Sequence, residues 1–79
     1  MQVTKLVIVI DGMYLSKLHK TDAPFTSVTD KITLARICNG MSNTSVDEFK
    51  KLAKKHGGVV TPVTLNMEEG KPLTVVSIG

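Results

Sequence analysis

The sequence is poor in cysteine, in aromatic residues and in long apolar runs. Cys38 is the one cysteine in 79 residues, so no internal disulfide can form and a reducing compartment is favoured. Tryptophan is absent, and three aromatic side chains leave little material for a base-stacking surface. The apolar run at residues 6–10 is too short for a signal-peptide core or a membrane span. These absences predict a cytoplasmic protein that folds without disulfide bonds.

Charge of one sign is only slightly in excess. Ten Lys or Arg residues against seven Asp or Glu residues give a net charge of +3, and Arg36 is the single arginine. This balance is less basic than nucleic-acid-binding domains usually are. Two histidines and one cysteine show no metal-ligand spacing, and the six glycines form no phosphate-binding cluster. No metal and no cofactor is therefore predicted.

The composition that is present is that of an ordinary globular domain. Hydrophobic residues make up 42% of the chain and charged residues 22%. A single domain over residues 1–79 is expected, with a stability of about 4–12 kcal/mol. Such a chain can bury a core but has little room for a deep enclosed pocket. An enzyme is disfavoured on this ground.

The clearest element is a helix over residues 45–58. Ser45 and Glu48 stand at the spacing of a capping box, which predicts a helix start at Ser45. Apolar residues recur at helical intervals and form one stripe, which ends at His56. Two glycines follow, at positions 57 and 58, and predict a left-handed stop.

Strands are predicted on both sides of this helix. Residues 3–10 are largely β-branched and apolar, and Asp11-Gly12 is a strong hairpin signal with a return strand over residues 13–18. Residues 59–67 and 73–78 form a second predicted hairpin. Pro62 lacks an amide donor, which favours an edge position or an irregularity at that point.

The middle of the chain is ambiguous. Residues 20–29 read as a loop anchored by Phe25, and residues 30–38 fit either a helix or a strand by their apolar spacing. We predict a short helical turn near Asp30, then a strand to about Cys38, then a turn at Asn39-Gly40.

The predicted fold is α+β, with a small antiparallel sheet of four to five strands in two hairpins and one amphipathic helix on one face. The strand at residues 6–10 is apolar on both sides and requires cover on both faces of its sheet. One helix covers one face only. The terminal hairpin or a second copy of the chain must cover the other, and a homodimer is therefore predicted.

Asp11 has two interpretations. An apolar strand that ends in Ile10, Asp11 and Gly12 and is followed by Leu15 resembles the first strand of NYN/PIN-type ribonucleases, in which the aspartate helps to bind metal. A metal nuclease needs further converging carboxylates. The other acidic residues stand mainly at the helix start and in the second hairpin turn. The hairpin interpretation is favoured.

The remaining chemistry-bearing side chains are assigned to structure. Cys38 has apolar neighbours and is predicted to be buried packing rather than a nucleophile. His56 is expected to cap the last helical turn at the border of the core, and His19 to be an exposed loop residue.

Four lysines on the solvent side of the helix are the clearest functional feature. Three interpretations remain open for them, namely a solvated helix face, contact with nucleic acid, and contact with an acidic protein partner. Tyr14 and three methionines are candidate interface anchors, because Tyr and Met are enriched at such surfaces. The candidate partner-binding residues are Tyr14, Met13, Lys50, Lys51, Lys54 and Lys55, with Met41 and Met67 as further anchors.

The stretches LVIVIDGMYLSKL, FTSVTDKITLARI and SVDEFKKLAKKHGGVVTPVTL together span most of the chain. This pattern resembles small single-domain accessory proteins encoded by bacteriophages. The resemblance implies a non-enzymatic inhibitor in the host cytoplasm that binds a bacterial protein, such as a factor of a restriction, BREX or CRISPR system. It carries no functional residue. The alternative is a small nucleic-acid-binding protein that uses the lysine face.

Overall fold

The computed structural model describes residues 1–20, 25–38 and 43–79. In these residues an antiparallel sheet packs against one helix, which confirms the predicted α+β fold. None of the described helices is long and apolar enough to cross a membrane. The elements in chain order are β1 (Gln2–Ile10), β2 (Met13–Leu15), β3 (Val28–Thr29), a 3₁₀ turn (Ile32–Leu34), β4 (Ile37–Cys38), α1 (Asn43–Lys55), β5 (Val59–Asn66) and β6 (Thr74–Ile78).

The described strands follow the order β3-β2-β1-β5-β6, and β4 also pairs with β1. β1 lies in the middle of the sheet and pairs with β5 from Gln2↔Asn66 to Val9↔Val59. β2 and β4 share the other side of β1. The long β1–β5 pair is the frame on which the shorter elements are placed.

The first hairpin turns at Asp11 and Gly12, as predicted. Asp11 has a φ of 51° and Gly12 a φ of 79°, and Ile10 pairs with Met13 across the turn. Positive φ at both central residues is the geometry of a type I′ turn, which matches the twist of the flanking strands. The return strand is shorter than predicted, because β2 ends at Leu15 and Ser16 makes only an isolated bridge to Ala35.

The second hairpin is confirmed, but β5 is not an edge strand over its whole length. It lies between β1 and β6. The backbone oxygen of Pro62 accepts a hydrogen bond of 2.9 Å from the Gly79 N–H. The nitrogen of Pro62, which has no hydrogen to donate, therefore faces the β6 side of β5. At that point β6 has already ended, at Ile78. Proline is tolerated here because it costs no bond within the paired region.

Helix α1 begins and ends earlier than predicted. It runs from Asn43 to Lys55, so Ser45 is its third residue and the predicted helix start at Ser45 is wrong. The stop is confirmed. Gly57 has a φ of 71°, and Gly58 N–H donates to Ala53 O at 2.8 Å, which closes the last turn.

The core has two layers, one on each face of the sheet. On the helix side Ile8 and Leu15 pack with Phe49 and Ala53 of α1. On the opposite side a second buried cluster is formed by Val7, Ile32, Ala35, Val63 and Leu65. The 3₁₀ turn and the residues after it thus supply the second cover of β1, where the sequence had suggested the terminal hairpin or a second chain.

The ambiguous middle segment is a 3₁₀ turn followed by a short strand, close to the prediction. Two details differ. The end of the predicted loop forms β3, and Phe25 does not anchor that loop, since its side chain is 67% exposed. The predicted turn at Asn39-Gly40 lies outside the described residues.

Candidate functional site

The predicted partner-binding residues lie on two sides of the sheet. Tyr14 pairs with Val9, and both pack with the cluster under the 3₁₀ turn. Met13 pairs with Ile10, which belongs to the helix-side cluster. Directly opposed residues of an antiparallel pair point to the same face. Tyr14 and Met13 therefore face opposite ways and cannot belong to one flat surface.

The four helix lysines form one exposed basic face. All four side chains are exposed on α1, whereas Phe49 and Ala53 of the same helix are buried in the core; the four are Lys50, Lys51, Lys54 and Lys55. Asp47 and Glu48 of the same helix are also exposed, which lowers the local positive charge. No exposed aromatic side chain accompanies the lysines on the described helix. The face can contact phosphate groups but offers no base-stacking partner.

The two half-buried candidates are partly committed to packing. Tyr14 and Met13 are each only partly accessible, and Tyr14 contributes to the buried cluster. Met67 is 42% exposed at the end of β5. Met41 lies outside the described residues. None of the three described side chains, Tyr14, Met13 and Met67, forms a large accessible apolar surface by itself.

The surface that the sequence interpretation missed is β6. All five of its residues are exposed, and none is charged. The exposed fraction is 36% for Val75, 50% for Val76 and 55% for Ile78. No other described strand pairs with β6 on its outer side. We refer to these five residues, Thr74–Ile78, as the β6 edge.

Backbone groups on the outer side of β6 are available for pairing. Gly79 N–H bonds to β5, and strand alternation therefore turns the N–H and C=O of Ile78 away from β5. Thr64 pairs with Ser77 and Leu65 with Val75, which leaves Val76 as an extra residue in a bulge. The bulge interrupts regular pairing, so an added strand would be short and would depend on side-chain contact as well.

A second unexpected feature is a buried pair of histidines. His19 is only 2% exposed, so its prediction as an exposed loop residue is wrong. Its Nε2 atom lies 2.9 Å from Nε2 of His56, and the two rings are nearly perpendicular. Thr26 Oγ1 lies 2.9 Å from His56 Nδ1, and Ser27 N–H donates to His19 Nδ1 at 3.4 Å. The contact between His19 and Ser27, and not Phe25, joins the two described ends of the predicted loop.

Arg36 supports the histidine pair from the other side. One of its terminal nitrogens donates to the backbone oxygen of His19 at 2.6 Å. Burial is the main cause that lowers the pKa of His19 below 6.5, and the nearby charges of His56, Arg36 and Lys55 lower it further. Arg36 Nε is buried without a hydrogen-bond partner among the described residues. The buried position of His19 thus favours its neutral form, while His56 beside it is half-buried.

The surface depressions are shallow and open. One of about 550 Å³ is lined by Lys17, Arg36, Thr33 and the apolar side chains of Ala35, Ile37 and Leu73. A smaller one of about 240 Å³ lies at the second hairpin, where Lys71 and Glu68 form an ion pair of 3.0 Å. That ion pair is the main cause that lowers the pKa of Glu68, and a hydrogen bond from Asn66 adds to it. Neither depression encloses a small molecule.

The described residues hold no group of three His, Cys, Asp or Glu side chains placed to bind a metal ion. Cys38 is buried in the helix-side cluster, as predicted. Asp11 stands at the tip of an exposed hairpin rather than in a cleft. Comparison of the chain with protein-family models, curated proteins and solved structures gave no match.

Proposed function

We propose that this chain is a protein-binding module that uses the β6 edge to hold an extended segment of a partner. The observation that carries the proposal is an edge strand whose five residues are all exposed and uncharged. Folded proteins usually protect such edges with charged side chains, because an open apolar strand invites pairing with another chain. Within β6 no side chain is charged, and the bulge at Val76 is the one feature that hinders pairing with another strand.

Strand addition explains how a chain of this size can bind without a pocket. Main-chain hydrogen bonds supply affinity, and pockets or patches for alternate side chains supply specificity. Ile78 pairs with the buried Val63, and Val75 pairs with the buried Leu65. Their side chains therefore extend the apolar cluster under the 3₁₀ turn to the sheet edge. A partner strand laid along β6 would cover this extension.

The partner class follows from the resemblance to small phage-encoded accessory proteins. On that basis the proposed partner is a bacterial host or defence protein, of restriction, BREX or CRISPR type, that this chain inhibits by contact. The net charge of +3 and the lysine face of α1 favour an acidic surface beside the bound segment. No chemical step is part of this proposal.

The experiment compares capture of bacterial proteins by four forms of the immobilised chain. The wild type and the Val76→Lys variant test the β6 edge. Val59→Lys is the matched control, because Val59 is an exposed β5 valine that pairs with Val9 and not with β6. Lys51→Glu with Lys54→Glu tests the helix face.

We expect one host protein to be retained in high salt by the wild type and by Val59→Lys, and to be lost with Val76→Lys. Thermal melting should show that all variants remain folded, since exposed substitutions change stability by only about 0.5 kcal/mol. Equal capture by Val76→Lys and the wild type would contradict the proposal.

The second candidate is nucleic-acid binding, which the four exposed lysines of α1 favour. Its result in the same experiment would be different. Nucleic acid alone would be retained, retention would fall steeply with salt, and the double Lys→Glu variant would abolish it. Val76→Lys would then behave like the wild type.

A further inference from the structure

The histidine pair is independent of the β6 edge and has a defined arrangement of protons. Ser27 N–H is a donor that points at His19 Nδ1, so this nitrogen must carry a lone pair. The proton of a neutral His19 is therefore on Nε2, from which it is donated to His56 Nε2. His56 then carries its proton on Nδ1 and donates it to Thr26 Oγ1.

In this arrangement each ring nitrogen already has a hydrogen-bond partner. A further proton on His19 would have to occupy Nδ1, which faces the Ser27 N–H. A further proton on His56 would have to occupy Nε2, which faces the N–H of His19. If the hydrogen bond between the rings is kept, either addition leaves a proton on His19 Nδ1 against the Ser27 N–H. The three hydrogen bonds therefore exist together only while both rings are neutral. The same occupancy leaves no lone pair open to a metal ion.

The charged groups around the pair oppose protonation as well. Arg36 approaches from the segment before β4, and its guanidinium donates to His19 O. Lys55 is the last residue of α1 and acts on His19 through its charge, and His56 does the same when it is protonated. No carboxylate among the described residues acts on His19 in the opposite sense. An added proton would therefore stand close to two permanent cations and in a buried position.

The pair also joins two parts of the chain that are distant in sequence. His19 follows the turn after β2, and Ser16 O accepts the His19 N–H at 3.1 Å. Thr26 and Ser27 lead into β3, and His56 directly follows α1. The contact thus fastens both ends of the β2–β3 connection to the C-terminal end of the helix.

We infer that His19 and His56 form a proton-operated latch, which holds His19, Thr26 and Ser27 against the end of α1 when both rings are neutral and loosens when the pair takes up a proton. The latch is built into the fold and does not depend on the function proposed for the β6 edge. Its release would loosen β3 and the β2 edge of the sheet while leaving the β1–β5–β6 frame in place.

The direction of the pH effect follows from the lowered pKa of His19. The unfolded chain binds a proton near 6.5, whereas the folded chain binds it only at lower pH. Above 6.5 the neutral ring contributes its full stability. As the pH falls below that value, the unfolded state takes up protons first, and stability decreases until the folded pKa is reached.

The first test reads the tautomers directly. Ring-nitrogen NMR of the ¹⁵N-labelled wild type at pH 8 should show His19 protonated on Nε2 and His56 on Nδ1. These are the only two histidines in the chain, so assignment requires only one variant. Any other pair of tautomers would overturn the inference, and this measurement does not depend on a variant that folds.

The second test measures opening. Between pH 8 and pH 5 the amide protection factors of His19 and Ser27 should fall, because the open state binds the proton of His19 more tightly than the closed state does. Those of Val63 and Leu65 on β5 should stay constant. His19→Gln offers an amide N–H that can donate to His56 Nε2 but has no ring to protonate. It should reduce the pH-dependent loss of protection at Ser27, and an undiminished loss in this variant would contradict the latch.

Discussion

At the scale of single residues, two adjacent glycines after α1 have different reasons for being glycine. Gly57 has a φ of 71° and open space around its Cα. At Gly58 an added Cβ would lie 2.6 Å from Ile8 Cγ2, 2.7 Å from Ile10 Cγ1 and 3.1 Å from the backbone oxygen of Val9. The first glycine is required by backbone conformation, and the second by the close approach of β1.

These reasons predict that substitution by Ala and by Asn will destabilise the fold in opposite orders at the two positions. Gly57→Ala should cost about 1–2 kcal/mol of unfolding free energy because of its left-handed φ, and Gly57→Asn should cost less, since Asn tolerates that region. Gly58→Ala should cost about 1–3 kcal/mol through overpacking, and the larger Asn should cost more. Urea unfolding of the four variants gives both orders, and the same order at both positions would contradict this assignment.

The residue scale is also where the sequence interpretation was least complete. The predicted turn at Asp11-Gly12 was correct, because a turn signal is local and its cause lies in two residues. The predicted exposure of His19 was wrong, because the burial of this side chain depends on His56, 37 positions away. In the turn after β2, Ser16 Oγ accepts the Leu18 N–H, and Leu18 is 75% exposed while His19 is 2% exposed. Hydropathy predicts the reverse, and only the partner ring explains it.

At the scale of elements, α1 is attached to the sheet by few side chains. Phe49 and Ala53 are its buried residues, and they meet Ile8 and Leu15 in the helix-side cluster. Leu52 adds a partly buried contact. Since a lone helix of 13 residues is marginal in water, α1 depends on this contact for its stability.

Truncation of the main contact should therefore have a large effect. Phe49→Ala is expected to lower the free energy of unfolding by about 3–5 kcal/mol, a large part of the about 4–12 kcal/mol expected for a chain of this length. Lys50→Ala, at the neighbouring exposed position, is the control and should change it by less than about 0.5 kcal/mol. Thermal or urea denaturation monitored by circular dichroism measures both values. A loss below about 1 kcal/mol for Phe49→Ala would show that α1 is not held as described.

Elements with a strong local pattern were predicted well, and their neighbours less so. The helix and both hairpins follow from periodicity and turn chemistry. The position of β5 between β1 and β6 does not, because strand order depends on contacts across the whole chain. Pro62 suggested an edge strand or an irregularity. In the structure β5 is flanked on both sides, and the missing N–H of Pro62 is tolerated because β6 ends at Ile78. The β6 edge was missed as a site because exposure is a property of the assembled sheet.

At the scale of the whole molecule, cover of the sheet is completed within one chain. The radius of gyration is 12.2 Å, close to the value of about 12 Å expected for a folded chain of this length. The face of β1 opposite α1 packs on Ile32 and Ala35. The homodimer was predicted from the need to cover that face, so this reason for it no longer applies. Among the described strands, the β6 edge remains an open apolar surface.

A homodimer is therefore proposed with a different interface. Two copies of Thr74–Ile78 can pair antiparallel about a two-fold axis, because such an interface is self-complementary and the strand carries no charge to oppose its copy. Pairing through the helices would instead bring two lysine faces together. The dimer and the proposed partner would occupy the same edge and would exclude each other.

Sedimentation velocity over a range of concentrations tests this arrangement. The wild type and Val59→Lys should show a species of twice the monomer mass of 8.5 kDa, and Val76→Lys should shift the equilibrium to monomer, since like charges would then oppose each other across the axis. Only monomer in the wild type at high micromolar concentration would contradict the dimer while leaving the β6 edge open for a partner. A dimer that persists in Val76→Lys and is lost in Lys51→Glu with Lys54→Glu would place the interface on α1 instead.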